Sequence, residues 1–240
     1  MYIRIASNDF FAVSKDVVSK MIAGELTAAQ AYQAFNAQLL AEEEPADNET
    51  VLTSGKAYSN VFHANGGSAA FSVMANTLRG VYGTDVLLAT ANSFTGSVLQ
   101  ADYNQKMAAS MIMPNGLMSR RCTMTGAELK ETVRAFVEGC EGGFVPFNRG
   151  SLPVVSGIAV EVKEANGSYT LTGITRNGQP LGDGDTVTVT CLATEKQMEA
   201  LLASDSGTSA GEDAWVKNTW RDYVSGGAAL AEPENYMTLR

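Results

Sequence analysis

Ser156-Gly157-Ile158-Ala159-Val160-Glu161-Val162-Lys163-Glu164-Ala165-Asn166-Gly167-Ser168-Tyr169-Thr170-Leu171-Thr172-Gly173 is the stretch that decides the fold. Ile158, Val160 and Val162 alternate with small or polar residues, the period of two that a half-buried strand requires. Asn166-Gly167 is a pair that tolerates the positive φ angles of a two-residue hairpin, and Tyr169, Leu171 and Gly173 resume the alternation behind it. Asn177-Gly178 marks a second tight turn, and Thr186-Val187-Thr188-Val189-Thr190 is a further strand with β-branched residues on both faces. Residues 151–192 are therefore expected to be sheet.

On either side of this stretch, helical and strand-like periods alternate. Upstream, Thr125-Gly126-Ala127-Glu128 carries the spacing of a capping box, with Leu129, Val133, Phe136 and Val137 continuing as a helix toward Gly139. Residues 116–123 and 84–91 read as strands, and residues 68–82 as a helix through Phe71, Met74, Ala75 and Leu78. Downstream, helices are expected at 195–203 and 213–224, separated by the flexible Ser204-Asp205-Ser206-Gly207-Thr208-Ser209. The fold class is α+β, a mixed β-sheet layered with helices over residues 58–240. Residues 1–44 form a helical appendage, read as the end of an upstream domain: Val17, Val18, Met21 and Ile22, then Ala29, Tyr32 and Phe35, fit two short helices capped by Ser14 and Thr27. The acidic run Glu42-Glu43-Glu44-Pro45-Ala46-Asp47-Asn48-Glu49-Thr50 places a linker over residues 45–57.

With 45% hydrophobic and 18% charged residues the 240-residue chain has the makings of a folded core. Runs such as Val86-Leu87-Leu88-Ala89 fall far short of the roughly 18 apolar residues that span a bilayer, so no membrane span is expected. A net charge of -9 repels a nucleic acid backbone, which leaves nucleic acid out as a partner, although a local arginine cluster can still serve one nucleotide. Asp9, Lys15 and Asp16 interrupt any signal-peptide core, so none is expected within the chain.

The motifs for chemistry are thin. Cys122, Cys140 and Cys191 lie without CxxC spacing and read as buried thiols, not as a zinc site or a redox dithiol. The single histidine, His63, cannot supply the ligand set of a dinuclear metal centre or the base of a triad, and Ser156 has no G-x-S-x-G elbow around it. Asp183-Gly184-Asp185 reads as a turn, lacking the closing Glu of a calcium loop. Arg120 and Arg121, as adjacent strand residues, point to opposite faces and read as surface charges. No catalytic residue, metal ligand or cofactor is assigned.

Four further stretches fall in a telling order: Tyr82-Gly83-Thr84-Asp85-Val86-Leu87-Leu88 followed by Asn92-Ser93; Thr125-Gly126-Ala127-Glu128-Leu129-Lys130; Val155-Ser156-Gly157-Ile158; and Asn177-Gly178-Gln179-Pro180-Leu181 running to Thr190. From about Ser68 to Leu230 this order resembles the C-terminal, substrate-binding domain of bacterial 5'-nucleotidases and UDP-sugar hydrolases. The resemblance implies a domain that clamps a nucleotide or nucleotide sugar, stacking the base between two phenylalanines and binding phosphates with arginines. Catalysis and divalent metals belong to that family's metallophosphatase domain, which the chain lacks. The family pattern NSGGiR is met only as Asn92-Ser93-Phe94-Thr95-Gly96-Ser97, without its arginine. The pattern lPFgN falls on Met113-Pro114-Asn115-Gly116-Leu117, and atNdFlasGGDGf near Cys191-Leu192-Ala193-Thr194-Glu195, both without the aromatic. The ligand positions carried over are Asn92, Ser93, Phe94, Asn115 and Thr194, with Phe94, Tyr103 and Phe147 available as apolar wall.

The implied role is a binding domain of a bacterial extracytoplasmic protein, at the cell surface or secreted, with a degenerate nucleotide site and no catalysis by itself. Its alternatives are the specificity domain of a nucleotide-hydrolysing parent, and a structural or interaction domain of a cell-surface solute-binding protein. The second alternative draws on Phe11-Ala12-Val13-Ser14-Lys15 through Gly24-Glu25-Leu26-Thr27 to Leu39-Leu40, which resembles the last helices of extracellular solute-binding proteins of ABC transporters. Partners implied are a nucleotide or nucleotide sugar and an upstream domain of the same protein.

Overall fold

The computed structural model describes residues 17, 19–20, 22–27, 30, 49–61, 67–113, 116–138, 153–166, 168–193 and 214–240. The chain divides into a unit of Met1–Glu49 and a unit of Thr50–Arg240. In the first, the Thr27 N–H donates to Gln30 Oε1 (2.9 Å) and the Gln30 N–H to Thr27 Oγ1 (3.3 Å), the reciprocal cap expected at Thr27. Ser14, Ala29, Tyr32 and Phe35 lie outside the described residues.

The second unit runs β1 (Thr50–Ser54), α1 (Ala69–Tyr82), β2 (Val86–Thr90), β3 (Ala101–Asn104), α2 (Gln105–Ala109), β4 (Met118–Thr125), α3 (Gly126–Glu138), β5 (Pro153–Ser156), β6 (Ala159–Ala165), β7 (Ser168–Arg176), β8 (Gln179–Pro180), β9 (Thr186–Ala193), β10 (Ala214–Trp215), α4 (Val216–Ser225) and β11 (Met237–Leu239). These strands make a five-stranded sheet in the order β10-β4-β9-β2-β5, a four-stranded sheet β11-β6-β7-β8, and the pair β1-β3. Both larger sheets are mixed, since β2 runs parallel to β9 and β11 parallel to β6 while the other neighbours are antiparallel. The α+β architecture is as expected.

Local signals became local geometry. The Thr125 N–H donates to Glu128 Oε2 (2.7 Å) and the Glu128 N–H to Thr125 Oγ1 (3.2 Å), so the capping box starts α3. Asn177 and Gly178 take φ of 53° and 76°, the left-handed pair between β7 and β8, and Asn166 takes 56° between β6 and β7. The Asp183-Gly184-Asp185 turn caps the same helix: the Gly126 N–H donates to Asp185 O (2.7 Å), the Ala127 N–H to Asp183 O (3.1 Å), and Lys130 pairs with the Asp183 carboxylate at 2.6 Å.

Two expectations are corrected. Residues 50–54, expected within the linker, are strand β1 paired with β3, because Leu52 in this polar run is 1% exposed and belongs to the core. The helix expected from residue 213 begins at Val216, since Ala214 and Trp215 first pair with Ser119 and Met118.

Helix α1 packs on β2 and β5, α3 on β7 and β4, and α4 on α2 and β1. Trp220 of α4 is fully buried and donates its indole N–H to Ala108 O at 2.8 Å. Beyond α4 the C-terminal segment crosses α1 as a strap. Ser72 Oγ donates to Glu234 O (2.8 Å) and accepts from Glu234 N (2.8 Å), Asn76 Nδ2 donates to Glu232 O (2.8 Å), and Thr77 Oγ1 accepts from Ala231 N (2.9 Å). Tyr236, 2% exposed, accepts the Ser68 N–H at 3.1 Å, and β11 then joins β6. Gly67 is required here, because a Cβ on it would stand 1.9 Å from the Tyr236 ring.

Candidate functional site

Strand directions assemble the site. Because β2 and β9 are parallel, their carboxyl ends share one edge of the five-stranded sheet. The amino end of β4, antiparallel to β9, and the carboxyl end of β10, antiparallel to β4, arrive at that same edge, where Ala193 and Trp215 both face Met118. In open α/β sheets the carboxyl ends of parallel strands are where ligands bind, since the loops leaving them are free to vary.

Chain leaving β2 enters a short 3₁₀ turn, Ala91–Ser93. Asn92 is exposed there. Ser93 is 1% exposed; its hydroxyl accepts from the Thr90 N–H (3.4 Å) and its carbonyl from the Met113 N–H (3.1 Å). Phe94 bridges Ile112 and is 4% exposed, its ring centroid 5.9 Å from that of Phe71 on α1. Its apolar ring is thus part of the core, and a ring so covered offers no face for stacking. Asn115 and Thr194 lie outside the described residues, as do His63, Cys140 and Phe147. Tyr103 is 6% exposed, its hydroxyl donating to Leu99 O (2.9 Å) and accepting from Leu99 N (2.7 Å), so it closes its own loop.

Two apolar side chains at this edge escaped the sequence reading. Trp215 is 50% exposed beside Met118, and Met113, hydrogen-bonded through its backbone to Ser93, is 44% exposed. The signal for Trp215 was its place just past the polar Ser209-Ala210-Gly211-Glu212-Asp213; assigning it to a helix interior concealed its exposure. Ser156 lies away from this edge at the end of β5, where its hydroxyl accepts the Arg79 Nε–H (2.8 Å) and donates to Asn76 Oδ1. Cys122 and Cys191 are buried thiols on adjacent strands. Among the described residues no three His, Cys, Asp or Glu side chains cluster as a metal site. No described helix is long and apolar enough to cross a membrane.

No family model matches the chain, and none of the curated proteins does. Solved structures do match. A 5'-nucleotidase precursor from Thermus thermophilus aligns with a TM-score of 0.63 at 14% identity, over 88% of this chain and 43% of that one. The Thermus thermophilus sulfate thiohydrolase SoxB aligns at 0.64 and 14% identity, over 90% and 40%. The Haemophilus influenzae NAD nucleotidase aligns at 0.59 and 16% identity, over 88% and 41%. The chain therefore spans less than half the length of these relatives in fold, and likeness at such identity is likeness of fold. That fold is the α+β architecture of the 5'-nucleotidase C-terminal domain, as the order of sequence motifs implied.

Proposed function

We propose that this chain is a 5'-nucleotidase C-terminal-like recognition domain of a bacterial extracytoplasmic protein, without catalysis of its own and with a nucleotide site that has degenerated. The observation that carries the reading is Phe94: the aromatic in the loop that leaves β2 at the expected ligand edge packs on Phe71 in the core. With no arginine in Asn92-Ser93-Phe94-Thr95-Gly96-Ser97, phosphate loses its guanidinium partner there as well. The non-catalytic part rests on composition, since one histidine in 240 residues cannot furnish the His-rich ligand set of a two-metal phosphatase. Assay of the purified chain with AMP and UDP-glucose in the presence of divalent metal is expected to give no phosphate release; steady, chelator-sensitive release would overturn this part. The extracytoplasmic assignment follows from the resemblance, and fractionation of cells producing the tagged full-length parent tests it.

A second reading, an interaction domain, is favoured by the half-exposed Trp215 and Met113 at the same edge. Exposed aromatic and methionine side chains at a strand-end surface are the usual material of contact with another protein face. The division into a helical appendage of residues 1–44, a linker and a domain belongs to the same proposal.

A further inference from the structure

The opposite edge of the five-stranded sheet holds a cleft of about 390 Å³, lined among others by Arg79 of α1, Asp85 before β2, Gly157, Arg176 of β7, Asn177 and Glu234 of the strap. Asp85 organises it. Its Oδ2 accepts from the Thr188 N–H (2.8 Å) and hydroxyl (2.9 Å), and its Oδ1 accepts from Arg176. Gly157 is needed because its φ is +82° and a Cβ would stand 2.0 Å from Asp85 O.

The guanidinium groups are less well served than the carboxylate. Arg79 donates Nε–H to Ser156 Oγ (2.8 Å), but its nearest carboxylate, Glu234, is 3.7 Å from Nη2, too far for a hydrogen bond. Arg176 engages Asp85 through Nη2. Among the described residues no other acceptor meets either group, and their side chains, which line the cleft, are 30% and 31% exposed. Each guanidinium carries five N–H donors in a flat fork, so donors remain unaccepted on both. Such forks match paired oxygens of a carboxylate or phosphate. Glu234 already approaches Arg79 from a side chain that is 52% exposed, while its backbone is fixed separately by Ser72, so the carboxylate can swing away without releasing the strap. With Glu234 gone, two arginines face one aspartate and a single positive charge is left for a ligand.

We propose that this cleft is an oxyanion-binding site, distinct from the strand-end edge above and independent of its function, in which a phosphate or carboxylate takes the place that Glu234 approaches as an internal competitor. The test titrates inorganic phosphate and, separately, succinate at fixed ionic strength into the full chain, following the arginine side-chain N–H signals by NMR. The expected result is a saturable shift of the Arg79 and Arg176 signals, abolished in Arg79→Gln, with the tighter of the two probes naming the ligand chemistry. Glu234→Gln, an exposed change that leaves the fold intact, is expected to tighten binding about threefold, the scale of losing a surface carboxylate contact. No saturable shift with either probe, or equal affinity in wild type and Glu234→Gln, would overturn the proposal even if Arg79→Gln fails to fold.

Discussion

At the scale of single residues, Asp85 and Tyr236 carry effects that can be measured. The Thr188 N–H bonded to Asp85 holds its carboxyl below the ordinary aspartate range, with the Thr188 hydroxyl, Arg176 and Arg79 adding to this and burial opposing it. A lowered folded-state value means that the ionised form stabilises the fold above the ordinary range, and that this contribution is lost as the pH falls below it. Asp85→Asn should therefore cost about 1 kcal/mol at neutral pH, discounted for partial exposure, and nothing once the carboxyl is protonated. Denaturant melts at neutral and strongly acidic pH check it. Tyr236 behaves oppositely, because burial pushes its phenol well above the ordinary tyrosine range. Its neutral form belongs to the fold, so stability falls as the pH rises through that range and unfolded tyrosine ionises. Tyr236→Phe leaves the Ser68 N–H without its acceptor, at a cost of about 1–3 kcal/mol near neutrality, and should flatten the alkaline loss in a pH series of melts. Neither residue announced itself in the sequence. Asp85 and Arg176 are 91 positions apart, whereas Thr125 and Glu128 are three apart and were legible from spacing alone.

Among elements the same distinction separates what could be read from what could not. Hairpin turns at Asn166 and Asn177 and the α3 cap depend on neighbours in sequence, so residue type was enough. Strand β1 was invisible because its one deeply buried apolar residue, Leu52, sits among polar residues. The strap was invisible because its polar contacts, Ser72, Asn76 and Thr77, look like a solvated helix face, yet all three are buried. Burial of those hydroxyl and amide groups is tolerable only while the strap satisfies them. Removing residues 228–240 should therefore abolish the sharp unfolding transition rather than lower its midpoint slightly, and hydrogen exchange should show α1 losing protection. By contrast Thr125→Ala should cost only about 1 kcal/mol, the value of one helix cap.

For the whole molecule, motif order gave the fold, and Asn92 to Phe94 leave β2 at the edge where β9, β4 and β10 converge. What no sequence pattern could decide was whether Phe94 faced a ligand or the core. Packing on Phe71 makes Phe94→Ala a core deletion, expected to cost about 3–5 kcal/mol in a denaturant melt, while Trp215→Ala should change stability little. The proposed degeneration of the nucleotide site is checked by calorimetric titration of AMP, UMP and UDP-glucose into the purified chain. The expected result is no binding tighter than about millimolar, roughly -4 kcal/mol. A micromolar Kd that quenches the fluorescence of the exposed Trp215 and is lost in Trp215→Ala would contradict it.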